Sequence, residues 1–334
     1  MSFSLLLSVG VRPEFERQLA SARAQRASLS SSACESSLSA AGLCRETIVQ
    51  YDTHSYPLAA TFSRALCAPC ELERLHGVMG DQFSPARESH ATVIATKQRL
   101  LGPLARKEEV EELFGMYDEL VEQVVLPHIA GKLFEVGVEC EAALFATVPT
   151  VRVQQPSELA TIRPHCDGMY GMPPGSVNVW IPLTTRISPT ATLHIESEPG
   201  AEDFHPLLPA YGEMALFDGR RCIHYTLPNR SGRTRVSLDF RVVPLLPTSP
   251  LRQRRNKAAP TDDERLLTSG YFSLAQRIGS GGVAEGRAPS AFRKVASGRV
   301  SRLHGFPHDK KPTSDPLDYW LDLLYASVDG WGNR

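Results

Sequence analysis

The chain has 334 residues, 42% of them hydrophobic and 22% charged, with a formal net charge of −1. Such values describe a globular protein of one large or two small domains with a sizeable core. The near-neutral charge argues against nucleic acid or an anionic membrane as a partner, and no apolar run is long enough to span a bilayer.

Residues 1–44 open with MSFSLLLSVG, a short apolar stretch without a basic flank, which does not read as a secretory signal. Residues 20–43 are rich in Ser, Ala and Arg. That composition fits a disordered, low-complexity leader or an organellar transit peptide, and a cytoplasmic protein is otherwise expected. The seven cysteines are odd in number and irregularly spaced, unlike a secreted disulfide framework. Cys67 and Cys70 form a C-x-x-C with no second pair at zinc spacing, so they read as ordinary thiols.

Residues 45–245 carry the periodic patterns. A helix is predicted from Lys107 to Leu126, with Val110, Leu113, Phe114, Tyr117, Val121 and Val124 on one face. Glu108, Glu109, Glu111 and Glu112 suit its positive N-terminal end, and Pro127 is expected to end or kink it. The period then changes to two, predicting strands at 142–153, 176–183, 191–196, 213–218, 221–227 and 234–243, punctuated by Gly and Pro. This is the pattern of a mainly β domain, a sandwich or barrel with flanking helices, not of a parallel α/β sheet. Residues 246–334 turn polar. The basic run Arg252–Lys257 reads as a solvated connector, and Leu266–Leu274 is placed to fold over a site mouth as a lid. A capped amphipathic helix is expected at 315–328, docked on the domain or against a second copy.

In RPHCDGMY (163–170), His165 and Asp167 would project to one side of a strand while Cys166 faces away. An H-x-D pair is weak by itself and needs a third ligand. His224, on a predicted strand, is the favoured candidate, with His194 and His205 as the alternatives. His194 reads as pocket lining or solvent-facing, and His205, in a loop, reads as structural. Cys222 has the parity of His224 and reads as a small core residue. In the last strand Val236, Leu238, Phe240 and Val242 share one face, and Arg235, Ser237, Asp239 and Arg241 share the other. The polar face must look into a cavity or into solvent. Arg235 and Ser237 there suit an anion, with Arg241 as the alternative clamp. Two histidines and one carboxylate on one face of a metal suit non-haem Fe(II) oxygenases. A 2-oxo diacid chelating such a metal needs a cation at its far carboxylate, which Arg235, eleven positions beyond His224, can supply, and the last coordination position serves O2.

The set His165-x-Asp167, His224 and Arg235-x-Ser237 resembles the signature of Fe(II)/2-oxoglutarate-dependent dioxygenases. The segments PPGSVNVWIPLT, ATLHIESEPG, FHP, FDGRRCIHYTLPN and SGRTRVSLDFRV look like a narrower branch, the streptomycin-biosynthesis-type (StrG-like) oxygenases. The resemblance spans about 150–245. It implies a double-stranded β-helix (jelly roll), iron on His165, Asp167 and His224, and the far carboxylate of 2-oxoglutarate on Arg235 and Ser237. The implied reaction is oxidation, most often hydroxylation, of a C–H bond of a small metabolite, with O2 as cosubstrate and release of succinate and CO2. His194 stands where that branch would have an aromatic residue. Tyr170, Asn178, Trp180 and Arg163 are the candidates for substrate contact, each with a structural alternative. The expected partner is a small molecule, and the protein a monomer or homodimer. Two other readings stay open: an iron oxidase that does not use 2-oxoglutarate, and a catalytically silent jelly roll that binds a ligand.

Overall fold

The computed structural model describes residues 12–79, 106–185, 187–248, 272–278 and 291–296. Two helices come first, α1 (Arg12–Ala27) and α2 (Ala33–Ala40). A capping box starts α2: Ser32 Oγ accepts the Glu35 N–H, and the Glu35 carboxylate accepts the Ser32 N–H. α1 buries Phe15, Leu19 and Ala22 against Cys166, Ile223, Tyr225 and Leu227. α2 buries Cys34 and Leu38 in the main core. Residues 12–44 are therefore a packed part of the domain, which corrects the expectation of a disordered leader. Their composition is polar, but positions 15, 19 and 22 follow the i, i+4, i+7 spacing of a buried stripe, narrow enough to be masked by Ser and Arg.

Helices α3 (Leu58–Ala65), α4 (Leu75–Met79) and α5 (Lys107–Leu120) follow. α5 matches the expected helix and buries Val110, Leu113, Phe114 and Tyr117. Pro127 does not end it. A π-helical turn (Val121–Val125), in which the Leu126 N–H reaches the Val121 carbonyl, leads into α6 (Leu126–Glu135). Pro127 thus falls in a first turn, where its missing N–H costs nothing.

The strands are β1 (Thr47–Gln50), β2 (Ala142–Ala146), β3 (Thr150–Gln154), β4 (Val177–Pro182), β5 (Leu193–Ile195), β6 (His205–Pro206), β7 (Glu213–Phe217), β8 (His224–Thr226), β9 (Arg235–Pro244), β10 (Phe272–Arg277) and β11 (Phe292–Ala296). The larger sheet runs β1-β7-β4-β9-β2-β10-β11, with β3 also paired to β9, and the smaller runs β6-β5-β8. All pairings between these strands are antiparallel. The stretch expected as one strand at 142–153 is two, and both pair with β9, Phe145 with Val242 and Val151 with Leu238. β10 and β11 extend the sheet past residue 245, so the domain does not stop there. Phe272–Leu274 belong to a sheet strand rather than a lid. The rest of the expected lid, the basic run at 252–257 and the helix at 315–328 lie outside the described residues.

The alternation in β9 sorts the two faces. Val236, Leu238, Phe240 and Val242 join Phe62, Leu113, Tyr117 and Leu133 in the main core under the helices. The opposite face of the larger sheet turns toward the smaller one. Trp180, Ala215 and Phe217 meet Leu193 and Ile195 there, at an apolar floor. Among the described residues no helix is long and apolar enough to cross a membrane.

Candidate metal centre

His165 and His224 form an antiparallel bridge, each N–H donating to the other's carbonyl at 3.1 and 2.8 Å. Cys166 is extended (φ −122°, ψ 149°), so His165 and Asp167 project to one side and Cys166 to the other, under α1. At Asp167 the chain turns into a single 3₁₀ turn (Asp167–Tyr170) instead of continuing as a strand, and the Asp167 N–H donates to Gly219 O at 2.7 Å. The Nε2 atoms of His165 and His224 lie 3.7 and 3.8 Å from Asp167 Oδ1. All three side chains are buried, and their donor atoms lie within 4.8 Å of one another, a group that can hold a metal ion.

The surroundings set each protonation state. His165 Nδ1 donates to Arg163 O at 2.9 Å and His224 Nδ1 to Cys222 O at 3.0 Å. These bonds fix the tautomers and leave each Nε2 lone pair facing Asp167. Burial, then the neighbouring imidazole, pushes His165 down to about 3, and burial likewise lowers His224, so both rings are neutral at pH 7. Burial alone would raise Asp167, but the Arg241 guanidinium outweighs it, with the Asn178 hydrogen bond in support, and holds the carboxyl well below its usual range. Arg241 donates through Nε to Asp167 Oδ2 (3.0 Å) and through Nη2 to Oδ1 (3.1 Å), and Asn178 Nδ2 donates to Oδ2 at 2.6 Å. Two neutral imidazoles and one ionised carboxylate, from one small region, fit a ferrous ion with coordination positions left for other ligands.

Asn178, a candidate for substrate contact, thus has its amide on Asp167. Gly219 closes it in: a Cβ there would lie 2.2 Å from Asn178 Nδ2. Gly219→Ala is expected to push Asn178 off the carboxylate and weaken Co(II) or Fe(II) binding about tenfold or more, with an unchanged circular dichroism spectrum. Unchanged metal affinity would show that this bond does not position Asp167.

Further along the interior, Arg235 is only 2% exposed. It donates to Ser237 Oγ (2.6 Å), Gln154 Oε1 (2.7 Å) and Ala191 O (3.2 Å), and its Cζ lies 5.7 Å from the Trp180 ring centre. Every one of these partners is neutral. Burial, with Arg152 nearby, lowers its pKa to about 9, which leaves it cationic at pH 7. The Trp180 Nε1 is buried with no hydrogen-bond partner among the described residues. A buried cation without a carboxylate, beside an orphaned donor, suits an incoming anion. Arg241, the alternative clamp, is instead occupied by Asp167 and by Asp239 Oδ1 at 2.7 Å.

Tyr170 and Arg163 flank the centre. The Tyr170 ring lies 5.2 Å from that of His165, and its side chain is hydrogen-bonded to Arg163, which is exposed. The other histidines lie elsewhere. His194 stacks on Tyr225 (5.6 Å, 10°), buried on the side that α1 covers, so it is neither pocket-lining nor solvent-facing. His205 Nε2 is 2.5 Å from Glu46 Oε2. Cys222 is buried, with Asp218, Glu196 and Cys44 as its electrostatic neighbours.

Sequence reasoning missed Arg152, Gln154 and Glu196. The first two had a signal, since Thr150, Arg152 and Gln154 alternate with Val151 and Val153, which are in the core. Glu196 had none. Its Oε2 accepts the Ile223 N–H at 2.6 Å, one residue before His224, and Arg26 Nη1 of α1 meets both carboxylate oxygens at 2.7 Å. A second buried ion pair joins Glu35 of α2 to Arg220. Arg26→Met would strand the Glu196 charge, and a loss of about 3 kcal/mol in urea unfolding is expected. Adding Glu196→Gln should recover most of it. Wild-type stability of the single variant would mean that α1 does not brace the His224 segment.

No protein-family model matches the chain. It is 27% identical over 204 residues to the streptomycin biosynthesis protein StrG of Streptomyces griseus, covering 60% of this chain and 86% of that one. The chain is StrG-like in sequence. Among solved structures it resembles the apo non-haem monooxygenase ThoJ (TM-score 0.41, 11% identity, 87% of this chain and 94% of that one). It also resembles AviO1 from Streptomyces viridochromogenes (0.37, 13%, 66% and 100%) and a Pseudomonas putida prolyl-4-hydroxylase (0.34, 16%, 63% and 98%). Structural likenesses at these TM-scores are too distant to bear on the reaction.

Proposed function

We propose that this chain is an Fe(II)- and 2-oxoglutarate-dependent oxygenase that oxidises, most simply hydroxylates, a C–H bond of a small metabolite. The observation that carries the reading is the convergence of two neutral imidazoles and an ionised carboxylate at one buried point, joined through β9 to a buried guanidinium with only neutral partners. The facing antiparallel sheets support a double-stranded β-helix around that interior. The likeness to StrG, named for streptomycin biosynthesis, supports a role in small-molecule biosynthesis.

In this reading His165, Asp167 and His224 hold the metal, and Arg235 with Ser237 holds the far carboxylate of the diacid. Ferrous iron and 2-oxoglutarate, when bound, supply with O2 the power to oxidise a C–H bond, with succinate and CO2 as coproducts. The chain supplies binding and orientation. The carbonyls of Arg163 and Cys222 keep both rings from turning. Arg241 and Asn178 keep Asp167 ionised and aimed. Trp180, Phe217, Leu193 and Ile195 exclude water from the floor. Tyr170 and Arg163, which flank His165, would contact the substrate. An iron oxidase without 2-oxoglutarate would have no use for the unpaired charge of Arg235.

The test is an anaerobic titration of the protein with Fe(II) and 2-oxoglutarate, read by the metal-to-ligand charge-transfer band. Succinate release is then assayed across a metabolite panel. A band and metabolite-stimulated succinate are expected, and the absence of both would overturn the reading.

A further inference from the structure

Arg152 holds a charge that neither the metal nor the diacid requires. It lies on β3 directly opposite Ser237 of β9. Its Nε donates to Asp239 Oδ2 at 2.7 Å, and that is its one hydrogen-bonded partner among the described residues, so both Nη groups are uncommitted. Asp239 is shared, its other oxygen accepting Arg241 Nη1 at 2.7 Å. The Arg152 side chain is 22% exposed, so a molecule entering from solvent can reach it, whereas Arg235 is enclosed. Its charge is felt at both ends of the interior, opposing protonation of His165 and acting as the leading charge on Arg235.

The charge balance gives the ligand's sign. Among the described residues, the cluster formed by the polar faces of β3 and β9 with Asp167 carries three guanidiniums (Arg152, Arg235, Arg241) and two carboxylates (Asp167, Asp239) beside two neutral imidazoles. Ferrous iron and a 2-oxo diacid cancel each other, so one positive charge remains, and Arg152 is the cation with free donors at an open edge. A partly buried guanidinium with two free Nη groups is best satisfied by a bidentate oxyanion.

We propose that Arg152 receives an oxyanion, a carboxylate or phosphate, beside the metal centre. This rests on the oxygenase reading, and the charge balance assigns the oxyanion to the substrate rather than to the 2-oxo acid. The substrate is then an acid or a phosphorylated compound.

Full-length wild type, Arg152→Gln and Arg152→Lys, loaded anaerobically with Fe(II), are titrated with 2-oxoglutarate by the charge-transfer band. At saturating 2-oxoglutarate they are then titrated calorimetrically with inorganic phosphate. Expected are measurable phosphate binding to wild type, about tenfold weaker binding in the Gln variant, intermediate binding in the Lys variant, which keeps the charge but not the two-pronged fork, and an unchanged Kd for 2-oxoglutarate in all three. A rise of about tenfold or more in the 2-oxoglutarate Kd of the Gln variant would assign the oxyanion to the cosubstrate instead. Equal Kd values for both ligands in wild type and Gln variant, or no phosphate binding to wild type with 2-oxoglutarate binding unchanged, would overturn the proposal. If Arg152→Gln does not fold, Arg152→Gln/Asp239→Asn removes the half-stranded carboxylate and takes its place. Loss of the charge-transfer band in wild type would overturn the oxygenase reading alone, because phosphate titration of the iron-free protein still tests Arg152.

Discussion

Asp167→Ala and His224→Ala are expected to reduce succinate formation from 2-oxoglutarate to the level of the metal-free protein. Each removes one of three donors that the fold brings within 4.8 Å of one another. The aspartate matters most. Its Oδ1 is the atom that both Nε2 groups face, at 3.7 and 3.8 Å, and its ionised form is held by Arg241 and Asn178. Asp167→Asn keeps the shape and loses the charge, which separates metal binding from packing. Ferrous titration and succinate assays on purified variants, with circular dichroism as the folding check, decide the matter. Wild-type succinate formation by either alanine variant would refute the centre.

Arg235→Gln is expected to raise the 2-oxoglutarate requirement of the proposed reaction by about a hundredfold, from losing a buried charge-assisted hydrogen bond to a carboxylate of about 1.5–3 kcal/mol. Metal affinity should hardly change. Arg235 bonds Ser237, Gln154 and Ala191, none of them a metal ligand. The unliganded variant should be as stable as wild type or more so, because a buried cation with neutral partners is removed rather than an ion pair broken. Initial succinate rates against 2-oxoglutarate concentration, with thermal unfolding of the iron-free protein, check both halves. An unchanged 2-oxoglutarate requirement would place the diacid's far carboxylate elsewhere.

Local periodicity carried much of this in the sequence. The alternation of 235–242 determined that Arg235, Ser237, Asp239 and Arg241 share an inward face, because a pleated strand leaves no other choice. The same logic put His165 and Asp167 together and would have added Arg152 and Gln154. The stripe of Val110, Leu113 and Tyr117 determined a core-facing helix, while Pro127 misled because a widened turn absorbed it. Residues 12–44 misled because composition averages away a stripe of three small contacts.

Tertiary structure alone decided the pairings. Asp167 and Arg241 are 74 residues apart, and Arg26 and Glu196 are 170 apart. No local pattern says which of two arginines on one strand face meets the carboxylate, that Asn178 turns to the same oxygen, or that the first helix braces the His224 segment. Side-chain direction is a property of the backbone's own repeat, readable from neighbours in sequence. Partner choice depends on which distant segments the folded core brings within a few ångströms, and that geometry exists only once the sheets have closed on each other.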